Sequence, residues 1–433
     1  MARRERGRWN VPPAGETFRL YLESLTHQGA TLARRDGQVV FAAYGIPGED
    51  VDVLIERVHK DYLEGRVVAV HTPSPWRVPS RCEYFGECGG CQLQHISYEG
   101  QLELKRQVVA EQMRRIGKLT DIAVLPTLPS PDPWHYRNHA RFSVDREGYL
   151  GFTMRGRKRI VRLMNCYIVH PWIRDTVQKL QGRCRGLRQV ALRIGVNTGD
   201  TLIQPPLDGY LSEPLPLVAN ETGTDTPARR PVSEAELGIE SGQPYYEEEL
   251  LGHRFRISAA SFFQVNTPQA ENLIRLVQDG LALEPDDVLL DAYAGVGTFA
   301  KTLAPLVRKV IAIEVSAASV ADGRHNTREN ANVEWVLGEV EAVLPRLAER
   351  PTAVVLDPSR QGCGAPALEA LIAARVPRIA YVSCEPATLA RDLRILVDGG
   401  YRVQSLQPVD MFPQTYHIEC VAILRHAAVE PAA

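Results

Sequence analysis

The residue best placed for covalent chemistry is Cys384, in Tyr381-Val382-Ser383-Cys384-Glu385-Pro386-Ala387-Thr388. The apolar run Arg378-Ile379-Ala380-Tyr381-Val382 before it has the composition of a buried strand. Proline is tolerated in the first turn of a helix, so a helix is expected to begin at Pro386. The thiol then sits on a sharp turn at the carboxyl end of a strand, the edge where open α/β sheets hold ligands. The free N–H groups and dipole of the following helix favour the thiolate, the nucleophilic form. Glu385 opposes this, because an adjacent negative charge raises a thiol pKa. A cysteine taken alone is more often buried and inert. The case for Cys384 as a nucleophile therefore rests on its surroundings.

Two further groups carry chemistry. Val288-Leu289-Leu290-Asp291-Ala292-Tyr293-Ala294-Gly295-Val296-Gly297-Thr298-Phe299 reads as strand, glycine-rich turn and helix start, with Gly295 letting backbone approach a ligand. Ile311-Ala312-Ile313-Glu314 ends a second strand in an acid placed to accept both hydroxyls of a ribose. This pattern also fits a dinucleotide enzyme. Asp291 at the strand tip favours S-adenosylmethionine, whose amino group is cationic. Asp357-Pro358-Ser359-Arg360 puts another acid over the same edge. The third group is Cys82-x5-Cys88-x2-Cys91 with Cys166 farther on. Three clustered thiolates and one distant one can close a tetrahedral site, and the uneven spacing leans toward a [4Fe–4S] cluster over zinc.

These groups need a scaffold of several parts. At 433 residues the chain exceeds one ordinary core, and 44% hydrophobic with 24% charged residues is the composition of a globular protein. No apolar run of about 18 residues is present to span a membrane. Met1-Ala2-Arg3-Arg4-Glu5-Arg6 leads into polar sequence with no signal-peptide core, so a cytoplasmic location is expected. Eight cysteines there point to metal binding or catalysis, not disulfides. The net charge of −2 is uneven, since residues 1–180 hold 27 Lys and Arg against 20 Asp and Glu. A basic front half suits a polyanion partner.

Residues 12–72 carry five short strand-like runs, Phe18–Leu25, Ala30–Arg35, Gln38–Ala43, Asp52–Val58 and Tyr62–Val70, with Asp36-Gly37 as a hairpin turn. That spacing suits an OB-like barrel. A middle part, 73–260, holds the cysteines, an amphipathic helix over Gln101–Ile116 ended by Gly117, and two basic runs, His135–Phe142 and Arg155–Arg162, suited to phosphate contacts or to solvation. Residues 212–236 read as a flexible loop. From 261 to 426, seven strands alternate with helices, which predicts a doubly wound α/β sheet.

Ser261-Phe262-Phe263-Gln264-Val265-Asn266, the Asp291 loop, Asp357-Pro358, Ser383-Cys384-x-Pro386-Ala387-Thr388 and His417-Ile418-Glu419 together resemble the RNA uracil-C5 methyltransferases that use S-adenosylmethionine. The resemblance spans nearly the whole chain. It implies an N-terminal TRAM barrel, an α+β middle domain with a [4Fe–4S] cluster held by Cys82, Cys88, Cys91 and Cys166, and a Rossmann-like methyltransferase domain. It further implies that Gln264, Tyr293, Glu314 and Asp357 line the cofactor pocket, with Cys384 as nucleophile and Glu419 as base. A barrel plus cluster is most similar to the 23S rRNA enzymes, which make 5-methyluridine, although tRNA enzymes of this family also carry clusters. A monomer is expected. Two departures stand out: Ser359 replaces a second proline, and Glu385 replaces the usual Asn. Rival readings are a cytosine-C5 RNA methyltransferase, a non-catalytic RNA-binding iron–sulfur protein, and a nicotinamide oxidoreductase.

Overall fold

The computed structural model describes residues 14–214 and 229–428. The basic run at Met1–Arg6, residues 12–13 and the centre of the expected loop at 215–228 lie outside the described residues.

Six strands near the N-terminus hydrogen-bond in the order Thr17–Tyr21, Asp50–Val58, Tyr62–Thr72, Gln38–Ala43, Thr31–Arg35 and Ser24–Leu25. The two outer strands belong to one bent stretch of chain, so the sheet closes into a barrel. The expected single strand Phe18–Leu25 breaks because it changes partner. The Leu22 N–H donates to Glu49 on one side, and the next N–H, of Glu23, donates to Leu32 on the other. Alternate residues Val51, Val53 and Ile55 fill the interior with Val40, Ala42 and Leu63. Asp36 and Gly37 both have positive φ (48° and 84°), the geometry that a two-residue hairpin turn needs.

The next ordered element is the helix Tyr98–Gln112, capped by the Ser97 side chain accepting from the Gly100 N–H. It begins three residues earlier than its amphipathic pattern indicates because of that cap. A π turn, Met113–Gly117, extends it, and left-handed Lys118 (φ 53°) ends it, not Gly117. Gly117 has another duty: a Cβ there would lie 2.9 Å from the Ala390 carbonyl. The helix buries Val108 and Val109 in the same core as Leu389 and Leu393 of the helix Pro386–Asp398.

An antiparallel five-stranded sheet follows, ordered Thr201–Gln204, Gln189–Ile194, His139–Val144, Leu150–Thr153 and Ile160–Arg162. The helix Pro171–Leu180 covers it through Ile173 and Val177. Much of the run His135–Phe142 goes into packing, with Tyr136, Asn138 and Phe142 all buried, so it is not the open basic surface that its composition allowed. The expected loop at 212–236 is paired at its ends: Ser212–Pro214 bonds to Arg229–Pro231, and Ser233 forms a capping box with Glu236.

The last part is a seven-stranded sheet ordered Val333–Leu337, Lys309–Glu314, Val288–Ala292, Ala353–Leu356, Arg378–Ser383, Glu419–His426 and Tyr401–Val409. The number of strands is the seven expected from sequence. Glu419–His426 runs opposite to the other six strands. The central parallel strands are largely apolar because both faces are covered, whereas the edge strand Val333–Leu337 is partly exposed. Helices 365–374 and 386–398 pack on one face, and helices 267–281 and 298–303 on the other. Beyond the edge strand, Leu125 and Leu128 donate backbone hydrogen bonds to Leu406 and Pro408, which closes that edge to further pairing. Among the described residues, no helix is long and apolar enough to cross a membrane.

Candidate active site

The carboxyl ends of the parallel strands gather the expected residues on one edge. Asp291 lies in the first of these strands in sequence and Glu314 ends the second, while Asp357 directly follows Ala353–Leu356 and Cys384 directly follows Arg378–Ser383. Glu419 arrives by register. Ser383 pairs with Cys420 across an antiparallel ladder, so Cys384, one residue on, stands opposite Glu419, one residue back. Successive side chains alternate faces, which turns Cys384 and Glu419 away from the face holding Ser383 and Cys420.

Glu419 is only 3% exposed. Burial, then the Asp357 charge, push its carboxyl well above the usual range, while Arg360 pulls it down. Cys384 is half-buried, and burial, Glu419 and Asp357 push its thiol up to about 12. The opposing influence is again Arg360. The helix N-terminus therefore does not by itself yield a thiolate. Glu385 acts elsewhere than its neighbour: its charge raises Cys420, and its Oε1 is buried with no hydrogen-bond partner. Cys363 and Cys420 are core residues.

The sequence reading missed Arg360 as a working residue, although it stands in the quoted Asp357-Pro358-Ser359-Arg360. Its Nη2 lies 3.5 Å from His417 Nδ1. Its loop is fastened to the helix 386–398. Thr388 Oγ1 donates to the Arg360 carbonyl (3.2 Å), Arg391 donates to the Gln361 carbonyl, and the Cys363 N–H donates to buried Asp392. A cation between two acidic strand tips is the signal that could have marked it.

The cofactor side is acidic. Asp291 is fully buried; its Oδ2 accepts from the Ala300 N–H at the start of the helix Thr298–Leu303, and its Oδ1 has no partner. Burial, Asp357 and Glu314 push its carboxyl up to about 8, and burial pushes Asp357 to about 7. Glu314 accepts from the Gly295 and Ser316 N–H groups, which fixes the carboxylate at the turn. Gly295 and Gly297 both have positive φ (54° and 85°), and a Cβ on Gly295 would meet nothing within 4 Å, so that side of the turn is open. Tyr293 also has positive φ (64°), costly for a bulky residue, and its hydroxyl donates to Glu341 (3.0 Å). A pyrophosphate among three acids would be repelled, whereas S-adenosylmethionine brings positive charge and fits. This decides between the two readings of the glycine turn.

Gln264 comes from a different connection. Its carbonyl accepts from Asn138, and its half-buried side chain precedes Asn266, which caps the helix Thr267–Leu281. Ser261 of the same motif donates to buried Asp322 (2.7 Å). The four cysteines Cys82, Cys88, Cys91 and Cys166 line one small cavity, walled also by Tyr84, Phe85, Phe152 and Leu163. Backbone N–H groups of Tyr84 and Phe85 point to Cys82, that of Gly90 to Cys88, and those of Ile168 and Val169 to Cys166. Among the described residues, no three His, Cys, Asp or Glu side chains converge closely enough to hold a single metal ion. A separate cleft of about 1460 Å³ lies between the barrel, the end of the helix 98–112 and residues 155–157, with Arg57, Arg66, Arg114, Arg115, Arg155 and Arg157 along it.

Residues 14–68 match the TRAM domain family, and residues 244–340 and 349–427 match the tRNA (uracil-5-)-methyltransferase family. A Bacillus cereus protein described as an uncharacterized RNA methyltransferase is 34% identical over 450 residues, covering 96% of this chain and 98% of its own. A similarly described protein of Halalkalibacterium halodurans is 36% identical over 437 residues, covering 93% and 95%. Among solved structures, the Pyrococcus abyssi tRNA (uracil-54, C5)-methyltransferase in complex with S-adenosyl-L-homocysteine superposes with a TM-score of 0.68 at 25% identity. It covers 94% of this chain and all of its own. With the acidic cofactor turn and the Cys384–Glu419 pair on the same sheet edge, the chain belongs to the TRAM-bearing RNA uracil-5 methyltransferases that use S-adenosylmethionine.

Proposed function

We propose that the protein methylates C5 of one uridine in 23S rRNA through a covalent adduct between Cys384 and C6. The observation that carries this is the register placing Cys384 opposite Glu419 beside Asp357. Uracil C5 is a poor nucleophile. Addition of the Cys384 thiolate to C6 moves an electron pair toward C5 and O4, which makes C5 carbanion-like. S-adenosylmethionine supplies the sulfonium methyl that C5 accepts. Glu419 then removes the C5 proton, the C6–S bond breaks, and Cys384 leaves as a thiolate. Burial raises the Glu419 carboxyl, which makes its carboxylate a stronger base for the C5 proton. Arg360 stabilises the thiolate before and after. Asp291, Glu314 and Asp357 hold the cationic cofactor, Tyr293 and Gly295 shape its turn, and Gln264 borders the pocket from the preceding connection.

The parts divide the work as barrel (12–72), middle domain (73–260) and methyltransferase domain (261–426). The cleft between the first two is lined by seven arginines against four glutamates, some of them paired, and that surplus of positive charge suits a polyanion, since guanidinium groups neutralise phosphates. We further propose that Cys82, Cys88, Cys91 and Cys166 hold a [4Fe–4S] cluster. Four thiols around a cavity, each of three with backbone N–H groups aimed at sulfur, fit a cluster better than a single ion. The group would brace the middle domain, as the methyl transfer needs no electron. A second reading, tRNA as substrate, is favoured by the likeness to the Pyrococcus abyssi enzyme.

One experiment tests chemistry and substrate together. Purified protein, S-adenosylmethionine and 5-fluorouridine-containing rRNA or tRNA transcripts are mixed and resolved on a denaturing gel. Fluorine at C5 cannot leave as a proton, so the adduct persists. A shifted band with rRNA, absent in Cys384→Ala, is expected. A band with tRNA alone moves the substrate to the second reading, and no band on either rejects the covalent route.

A further inference from the structure

The segment Asp410–His417, which leads into Glu419, is held at its two ends by later residues, since Gln269 and Asn266 donate to the Asp410 and Met411 carbonyls and Arg360 meets His417. Through its middle it is held by groups from the first third of the chain. Lys105 Nζ donates to Asp410 (2.6 Å) and to the Phe412 carbonyl (3.1 Å). The Tyr136 hydroxyl donates to the Pro413 carbonyl (3.0 Å). Gln101 grips Gln414 twice: its Nε2 donates to the Gln414 side chain, and its Oε1 accepts from the Gln414 N–H, both at 3.0 Å. The Gln414 carbonyl accepts from the Gln92 and Leu93 N–H groups, the two residues that follow Cys91. Gln101, Lys105, Tyr136 and Gln414 are all buried. At the barrel end, a Cβ on Gly29 would lie 2.9 Å from the Tyr416 Cβ, so the barrel turn also abuts this segment.

Gln414 has φ of +69°, a conformation that is strained for an ordinary residue and persists only where its surroundings enforce it. Here the enforcing groups are Gln92, Leu93 and Gln101. Cys384 is fixed differently, by its own strand and by the helix 386–398. The geometry points to Gln101 and Tyr136 as positioning residues for Glu419. They set the approach of its carboxylate to the C5 proton and leave the nucleophile untouched. This rests on the reading of Glu419 as base. It predicts that loosening the segment slows breakdown of the adduct while its formation keeps its rate.

The test is single-turnover kinetics on the ordinary uridine transcript, following covalent protein–RNA adduct and methylated free RNA separately. Tyr136→Phe removes one neutral hydrogen bond, and release of methylated RNA should slow about two- to tenfold. Gln101→Ala removes both bonds to Gln414 and should slow release about tenfold or more, while Gln101→Glu, which keeps the acceptor for the Gln414 N–H, recovers part of it. In each variant the methylated adduct accumulates. Formation and release slowing together would overturn the inference, and so would release at the wild-type rate. If Gln101→Ala fails to fold, Tyr136→Phe decides alone. Glu419→Gln is run beside them. If it accumulates no adduct, the base assignment fails; if it does and the other variants do not, the positioning role fails.

Discussion

Replacing Glu419 with glutamine should move two steps of one reaction in different directions. With burial and nearby acids pushing its thiol up to about 12, Cys384 is almost entirely protonated at pH 7.5. Glu419 is the largest charge contribution to that shift after burial. Glutamine has nearly the same shape and cannot carry the charge, so each unit by which the thiol falls makes thiolate tenfold more abundant. Adduct formation should therefore be no slower than in the wild type. Release should fall by about 10²–10⁴, the usual worth of a positioned general base. Quenched single-turnover reactions with radiolabelled S-adenosylmethionine read both, because label appears first in protein-linked RNA and then in free RNA. Iodoacetamide alkylation of Cys384 provides an independent check and should be at least as fast in Glu419→Gln. Slower alkylation together with equal losses in both steps would refute the assignment and make Glu419 a structural acid.

Raised carboxyls at Asp291 (about 8) and Asp357 (about 7) hold protons near neutrality, and a bound cation favours their ionised forms. Affinity for S-adenosylmethionine should therefore rise as pH goes from about 6 to 7.5, with proton release in calorimetry; a flat profile would count against these acids as the cation site. Arg360→Met removes a positive charge that lowers the Cys384 thiol, so alkylation of Cys384 at fixed pH should slow. Lys105→Met leaves Asp410 buried without its partner and should cost about 3–5 kcal/mol in urea unfolding, with Lys105→Met/Asp410→Leu recovering much of it. Protein purified without oxygen should contain iron and acid-labile sulfide, and Cys88→Ser should lose both while keeping the barrel's circular dichroism.

The seven strands of the large sheet were legible because each is a short apolar run between turn residues, and the place of Cys384 at a strand tip was legible because a strand, a cysteine and a proline occur in order. Glu419 was named from family resemblance alone; the antiparallel register that brings it opposite Cys384 depends on which strand enters between two others. Charge balance was less readable. Adjacent in sequence, Glu385 looked like the acid governing Cys384, yet Glu419 and Asp357 govern it from other strands. Two basic runs looked alike, but Tyr136, Asn138 and Phe142 turn inward while Arg155 and Arg157 face the barrel cleft. Composition does not distinguish a stretch that completes a core from one that lines an open cleft.

The pairing of Lys105 with Asp410 joins residues 305 positions apart, and Gln101 reaches Gln414 across 313. At about 5–20 residues per second, translation leaves the helix 98–112 waiting about 15–60 s before its partners are made. During that interval Val108 and Val109 lack the cover of Leu389 and Leu393, and the Lys105 charge faces solvent. The catalytic end of the sheet is thus completed by some of the earliest and some of the latest residues to leave the ribosome. A fragment expressed from residue 261 onward would lack those early residues, and a nascent chain stalled before residue 386 would offer that bare helix to chaperones.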